Sequence, residues 1–179
     1  MGEEGEHLGV TRIGVIADTH GLLRPEVAAV FANVDHILHA GDIGGDHIIK
    51  ALQELAPVTF VRGNNDDDDG YESRRVTIGG LRVLLTHILP RPHDPRDDLR
   101  SALASSDVVV FGHSHLPHDE HLHNLWFFNP ASAGPRRFDY PISVGLLEKK
   151  GGQWAGQHVA LEERSTGALK QRMNQLSGR

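Results

Sequence analysis

The chain has 179 residues, 39% hydrophobic and 23% charged, the balance expected of one globular domain with a sizeable core. A formal net charge of −6 argues against a basic nucleic-acid surface. The absence of cysteine excludes disulfides and thiolate ligands, so any metal must be held by nitrogen and oxygen. No apolar run approaches the ~18 residues of a membrane span. The acidic segment 1–9 lacks the basic-then-apolar pattern of a secretion signal. The expectation is a cytoplasmic protein with no membrane association and no large nucleic-acid partner.

Residues 1–9 read as a flexible leader. Val10–Ala17 contains a strand built on Ile13, Val15 and Ile16. Pro25 opens a helix through Asn33, because proline suits the first helical turn. Ile37–His39 is a second buried strand, and a helix over about Asp46–Leu55 follows, with Ile48, Ile49, Leu52 and Leu55 at helical spacing. Val58–Val61 is a third strand, completing a strand–helix–strand–helix–strand start typical of parallel sheets. The style then changes. Arg75–Ile78 and Leu81–Thr86 flank Gly79-Gly80, a hairpin signal. A helix is expected over Pro95–Ser105, a strand over Val108–Phe111, and one or two strands within His121–Phe128. Ile142–Leu147 and Trp154–Leu161 flank Gly151-Gly152 as a closing hairpin. Residues 10–161 thus read as a single α/β domain of two mixed β-sheets packed face to face with helices outside, followed by a polar tail over 162–179.

Five short motifs fall where strands end: Asp18-Thr19-His20, Gly41-Asp42, Gly63-Asn64-Asn65-Asp66, Thr86-His87 and Gly112-His113-Ser114-His115. Ligands of open α/β sheets bind beyond the carboxyl ends of the strands. The sheet therefore predicts that these carboxylate, amide and imidazole donors converge on one rim, as a two-metal hydrolase requires. Each residue taken alone has a plainer reading: Asp18 as a helix cap, His39 as a buried hydrogen-bonded histidine, and His36, His47, His93, His118, His121 and His123 as surface groups. Trp126 and Trp154 read as core or interface aromatics, and the run Trp126-Phe127-Phe128 as a possible homo-oligomer contact.

The ordered set Asp18-Thr19-His20-Gly21, His39-Ala40-Gly41-Asp42, Arg62-Gly63-Asn64-Asn65-Asp66 and Gly112-His113-Ser114-His115 resembles the calcineurin-like metallophosphoesterase superfamily, most of all its small single-domain bacterial and archaeal phosphodiesterases. Asn129-Pro130-Ala131-Ser132 resembles the family's Asn-Pro-Gly-Ser stretch, with alanine in place of glycine. The resemblance implies a four-layer fold and two divalent metal ions, Mn first and Fe, Co, Ni or Zn as alternatives. It implies that Asp18, His20, Asp42 and His115 hold one metal, and that Asp42, Asn64, His87 and His113 hold the other, with Asp42 bridging. A hydroxide between the metals would then attack a phosphate ester in line, with Asp42, Asn64 and His113 at its centre.

His39, Asn65, Asp66 and Arg62 are candidates for supporting these ligands or meeting phosphate, and Arg136 and Arg137 also have the chemistry for phosphate. Two departures from the family pattern stand out. Asn65 occupies the position where many members carry a histidine that protonates the leaving group, and Ile88 follows His87 where glycine is usual. The implied activity is a metal-dependent phosphodiesterase. The alternatives are a phosphomonoesterase, or a non-catalytic metal-binding scaffold resembling a retromer subunit.

Overall fold

The computed structural model describes residues 11–67, 69–89 and 97–161. The expected leader and tail, His93 and the Pro95 start of the third helix lie outside the described residues. In chain order the elements are β1 (Arg12–Ile16), α1 (Glu26–Val30), β2 (His36–His39), α2 (Asp46–Gln53), β3 (Val58–Phe60), β4 (Ser73–Ile78), β5 (Leu81–Thr86), α3 (Asp97–Ala104), β6 (Val108–Val110), β7 (Pro117–Leu122), β8 (Leu125–Pro130), β9 (Ser143–Lys150) and β10 (Gln153–Ala160).

They form two five-stranded mixed sheets, β10-β9-β1-β2-β3 and β4-β5-β6-β8-β7. β1, β2 and β3 are mutually parallel, as are β5, β6 and β8, and antiparallel strands close one edge of the first sheet and both edges of the second. Both glycine pairs make two-residue hairpins: Gly79 and Gly80 have φ 58° and 83°, and Gly151 and Gly152 have φ 58° and 82°. Two successive positive φ values match the twist of the flanking strands, and only glycine adopts them freely.

Alternation along the strands sorts side chains into layers. Ile13, Val15, Leu38 and Leu147 of the first sheet meet Val83, Leu85, Val108, Val110, Trp126 and Phe128 of the second in the central core. The other face of the first sheet, with Ile16, Ile37, Val144 and Leu146, is covered by Val27 and Phe31 from α1 and its end and by Ile48, Ile49 and Leu52 from α2. Leu84, Val109 and Phe111 pack the outer face of the second sheet against Ala102 of α3. The order is helix, sheet, sheet, helix, as expected.

Three details differ from the sequence reading. α1 stops at Val30 rather than running to Asn33: the chain leaves the helix in a turn closed by Val34 N–H donating to Phe31 O at 3.2 Å, with the fully buried Phe31 ring packed on Gly14. The segment before Phe128 is a complete hairpin whose first arm begins at Pro117. Trp126 and Phe128 are 4% and 0% exposed in the central core, which leaves Phe127 as the half-buried member of the aromatic run. Among the described residues no helix is long and apolar enough to cross a membrane.

Candidate metal centre

β1, β2, β3, β5 and β6 all point their carboxyl ends at one rim, and the loops leaving them carry the donors. The loops are tied to one another by the backbone. Asp18 N–H donates to Gly41 O at 3.0 Å, His20 N–H to Asp42 O at 2.9 Å, and Gly112 N–H to His87 O at 3.1 Å. One donor atom each from Asp18, His20 and His115 lies within 4.8 Å of the others, and the same holds for Asp18, Asp42 and His87. Asp42 links the two groups: its carboxylate is 3.7 Å from His20 Nε2 and 3.4 Å from His87 Nε2. Asn64 Oδ1 sits 3.1 Å from the same His87 nitrogen. His113 belongs to neither three-residue group. Its backbone N–H donates to Asp18 Oδ2 at 3.1 Å, and its exposed ring stands edge-on to His87 with centroids 5.2 Å apart.

A feature invisible in the motifs unites these residues. Asp18, His20, Asp42, His113 and His115 all have left-handed backbone, with φ 54°, 46°, 53°, 68° and 59°. Residues other than glycine rarely hold this conformation, which costs on the order of 1–2 kcal/mol each. Only three other non-glycine residues share it among those described, so strain is concentrated at the donors. Such strain persists where the surroundings enforce it, and it clusters at functional sites.

The donor chemistry calls for cations. Asp18 and Asp42 are 0% and 2% exposed, with no lysine or arginine ion-paired to either among the described residues. Asp18 Oδ1 is buried without any hydrogen-bond partner, although His115 Nε2 lies 3.3 Å away. His87 Nδ1–H donates to Ala40 O at 2.8 Å, which leaves Nε2 as a bare lone pair facing Asp42 and Asn64 oxygens when the ring is neutral. A backbone carbonyl on the far ring nitrogen is the usual support of a metal-bound histidine. His20 and His115 present Nε2 atoms to each other at 3.4 Å. Lone pairs and carboxylates crowded without matching protons are what divalent cations satisfy, so the residues fit a metal site.

Titration supports the same state. Burial pushes the Asp42 carboxyl upward, but the backbone and side-chain amides of Asn65, with His87 and His20 beside it, hold it below the ordinary carboxylate range. Burial keeps His20 below the usual imidazole value against the pull of Asp42, and Arg137 lowers it further. Asp42 is therefore biased toward its carboxylate and His20 toward its neutral ring, the forms in which each can donate to a cation.

The surrounding residues fix the donors. His39 is fully buried. Its Nε2–H donates to Thr19 Oγ1 at 2.9 Å, since that hydroxyl itself donates to Ile43 O, and its Nδ1 accepts from Gly41 N–H at 3.2 Å. It thus braces the neighbours of Asp18 and Asp42 as a neutral ring, with burial lowering its pKa to about 4. Asp66 accepts from the amides of Gly63, Gly44 and Ile43 at 2.8, 2.9 and 3.1 Å, locking the Asn64 loop to the Asp42 loop. Asn65 Nδ2–H donates to Asp42 Oδ2 at 2.6 Å. Arg62 pairs with Glu72 at 2.6 Å, and Asn65 alone of these four bonds directly to a donor carboxylate. Gly63 has no room for a side chain, since a Cβ there would fall on the Asp42 carboxylate.

Two supports escaped the sequence reading. Asn129 Nδ2–H donates to Gly112 O at 2.8 Å, and Ser132 Oγ–H to Asp18 O at 3.0 Å, so the Asn-Pro-Ala-Ser stretch buttresses the rim. The placement of that stretch at the carboxyl end of β8, parallel to β6, was the available signal.

The profile of the calcineurin-like phosphoesterase superfamily domain matches residues 11–152, and the chain belongs to that superfamily. A probable metallophosphoesterase of Methanothermobacter thermautotrophicus is 38% identical over 143 residues, 74% of this chain and 83% of that protein. The fold is similar to YfcE, a phosphoesterase from E. coli, with a TM-score of 0.62 at 24% identity over 85% of this chain and 100% of that one. It is similar as well to the Vps29 of Entamoeba histolytica in a complex with zinc, with a TM-score of 0.61 at 22% identity over 84% of this chain and 99% of that one.

Proposed function

We propose that this metallophosphoesterase is a two-metal phosphodiesterase. The observation carrying the reading is the convergence of two buried carboxylates, neither ion-paired with lysine or arginine among the described residues, with the imidazoles of His20, His87 and His115, on backbone that is left-handed at Asp18, His20, Asp42 and His115. Asp18, His20, Asp42 and His115 would hold one ion, and Asp42, Asn64, His87 and His113 the other. Divalent ions, Mn foremost, would supply Lewis acidity toward phosphoryl oxygen and a water acidic enough to act as nucleophile near neutral pH. Asp42, held ionised by Asn65, keeps its charge between the two donor groups. His113, an exposed donor, would face incoming substrate. A phosphate ester suits a centre whose cations exceed its two carboxylates in charge. Diesters are favoured because the sequence shows no evident insertion to enclose a monoester, and Asn65, which cannot deliver a proton at neutral pH, restricts turnover to good leaving groups.

The test is hydrolysis of bis-p-nitrophenyl phosphate against the mono-ester, using chelator-stripped protein with Mn restored. Metal-dependent diester turnover, abolished by His113→Ala, is expected. Preference for the mono-ester would move the reading to a phosphomonoesterase. No turnover with Mn, Co, Ni or Zn would leave the scaffold reading, which the likeness to Vps29 favours.

A further inference from the structure

The loop joining Ser132 to β9 reaches back over the metal rim. Ser132 anchors it to the Asp18 carbonyl, and Arg24 donates to Gly134 O at 3.1 Å. Further along, Tyr140 N–H donates to Arg137 O at 3.3 Å and closes a turn. This turn brings the Arg137 guanidinium to 3.4 Å from His20 Nε2. Among the described residues no carboxylate pairs with Arg137. A guanidinium beside donors meant for divalent cations is repelled once they are filled, unless an anion lies between. Its planar fork suits phosphoryl oxygens.

Next to Arg137, the turn displays Phe138. Its side chain is 82% exposed, and its backbone is left-handed at φ 53°, an outlier for a bulky residue. An exposed aromatic held in strained backbone gains nothing from packing the fold. Its ring lies against that of Tyr140, with centroids 5.6 Å apart and planes tilted by 55°. The rest of the rim is apolar too. Leu22, Ile88, Leu89 and Leu116, each within two residues of a donor histidine, are 39%, 50%, 38% and 43% exposed. Tyr71 flanks the Asn64 loop through its carbonyl, which accepts from Arg62 N–H at 2.9 Å. Of the eight large hydrophobic side chains exposed among the described residues, only Leu122, at the β7–β8 turn, lies at the opposite end. Exposed apolar groups gathered beside a polar centre mark a binding surface.

We infer that Arg137 binds a phosphoryl oxygen of the substrate while Phe138 and Tyr140 stack on a planar aromatic group carried by the ester. The inference rests on the phosphoesterase reading, and it makes Arg137, Phe138 and Tyr140 specificity residues for that site.

Equilibrium binding tests this apart from turnover. Inorganic phosphate, methylphosphonate and phenylphosphonate are titrated calorimetrically into the Mn-loaded wild type, Arg137→Ala, and the Phe138→Ala/Tyr140→Ala double variant. The wild type should prefer phenylphosphonate to methylphosphonate by about tenfold, as expected of aromatic stacking. Arg137→Ala should weaken all three anions by roughly tenfold. The double variant should lose only the phenyl preference. Equal affinity of the wild type for the two phosphonates, unchanged binding in either variant, or no binding at all would overturn the inference. Wild-type protein that shows these affinities yet hydrolyses no ester would instead count against the phosphoesterase reading and leave the binding assignment standing.

Discussion

At the scale of single residues, the buried neutral His39 makes a pH prediction with a definite sign. The folded ring titrates near 4 and an exposed one near 6.5. As pH falls from 6.5 toward 4, the unfolded chain takes up a proton that the folded chain refuses, so stability drops. Fully expressed, that gap is worth roughly 3 kcal/mol. Thermal unfolding of the metal-free protein across this window should show the decline, and His39→Gln should flatten it; an unaltered slope would show that other groups carry the dependence. Asn65 makes a second prediction. It bonds to Asp42 and has no proton to give a leaving group, so activated aryl esters should turn over well and simple alkyl esters slowly. Asn65→His should raise alkyl-ester turnover by at least about tenfold, within the usual range of general acid catalysis. Rates that do not move would mean that the leaving group is protonated from elsewhere.

At the scale of elements, Gly63 shows how the strand-end loops interlock. With a Cβ there falling on the Asp42 carboxylate, Gly63→Ala should weaken Mn binding by roughly tenfold or more in calorimetric titration, while circular dichroism remains that of the wild type. Wild-type affinity would mean that the loop yields freely. The same loops show what was legible beforehand. Apolar runs such as Ile13–Ile16 and Val108–Val110 announce buried strands, and the two Gly-Gly turns announce their hairpins, because burial and positive φ each demand particular residue types. The donors were legible because strand ends gather at one rim. β7 was only half legible: it is an edge strand whose side chains are nearly all exposed or half-exposed, so it carries no apolar alternation to mark its start at Pro117. The buttressing by Asn129 and Ser132 and the reach of Arg137 to His20 depend on contacts between residues roughly 17 to 117 positions apart, which no local pattern encodes.

At the scale of the whole molecule, metal and fold should be linked. A cation that binds only the folded chain stabilises it by about 2.7 kcal/mol at a hundred times its dissociation constant. Mn at that excess should therefore raise the melting temperature of chelator-treated protein by several degrees, and Asp42→Asn should lose most of the gain; an unmoved transition would show that the donors do not hold the ion. The five left-handed donors carry this linkage into evolution. Glycine at positions 20, 113 or 115 would relax the backbone, whereas at 18 or 42 it would also strip the acceptors of the His113 and Asn65 amides. A population of this protein freed from its chemistry should accumulate glycine at positions 20, 113 and 115 before its core loosens, becoming sturdier as it falls silent. Histidine at these three positions is thus strain that stability alone does not call for.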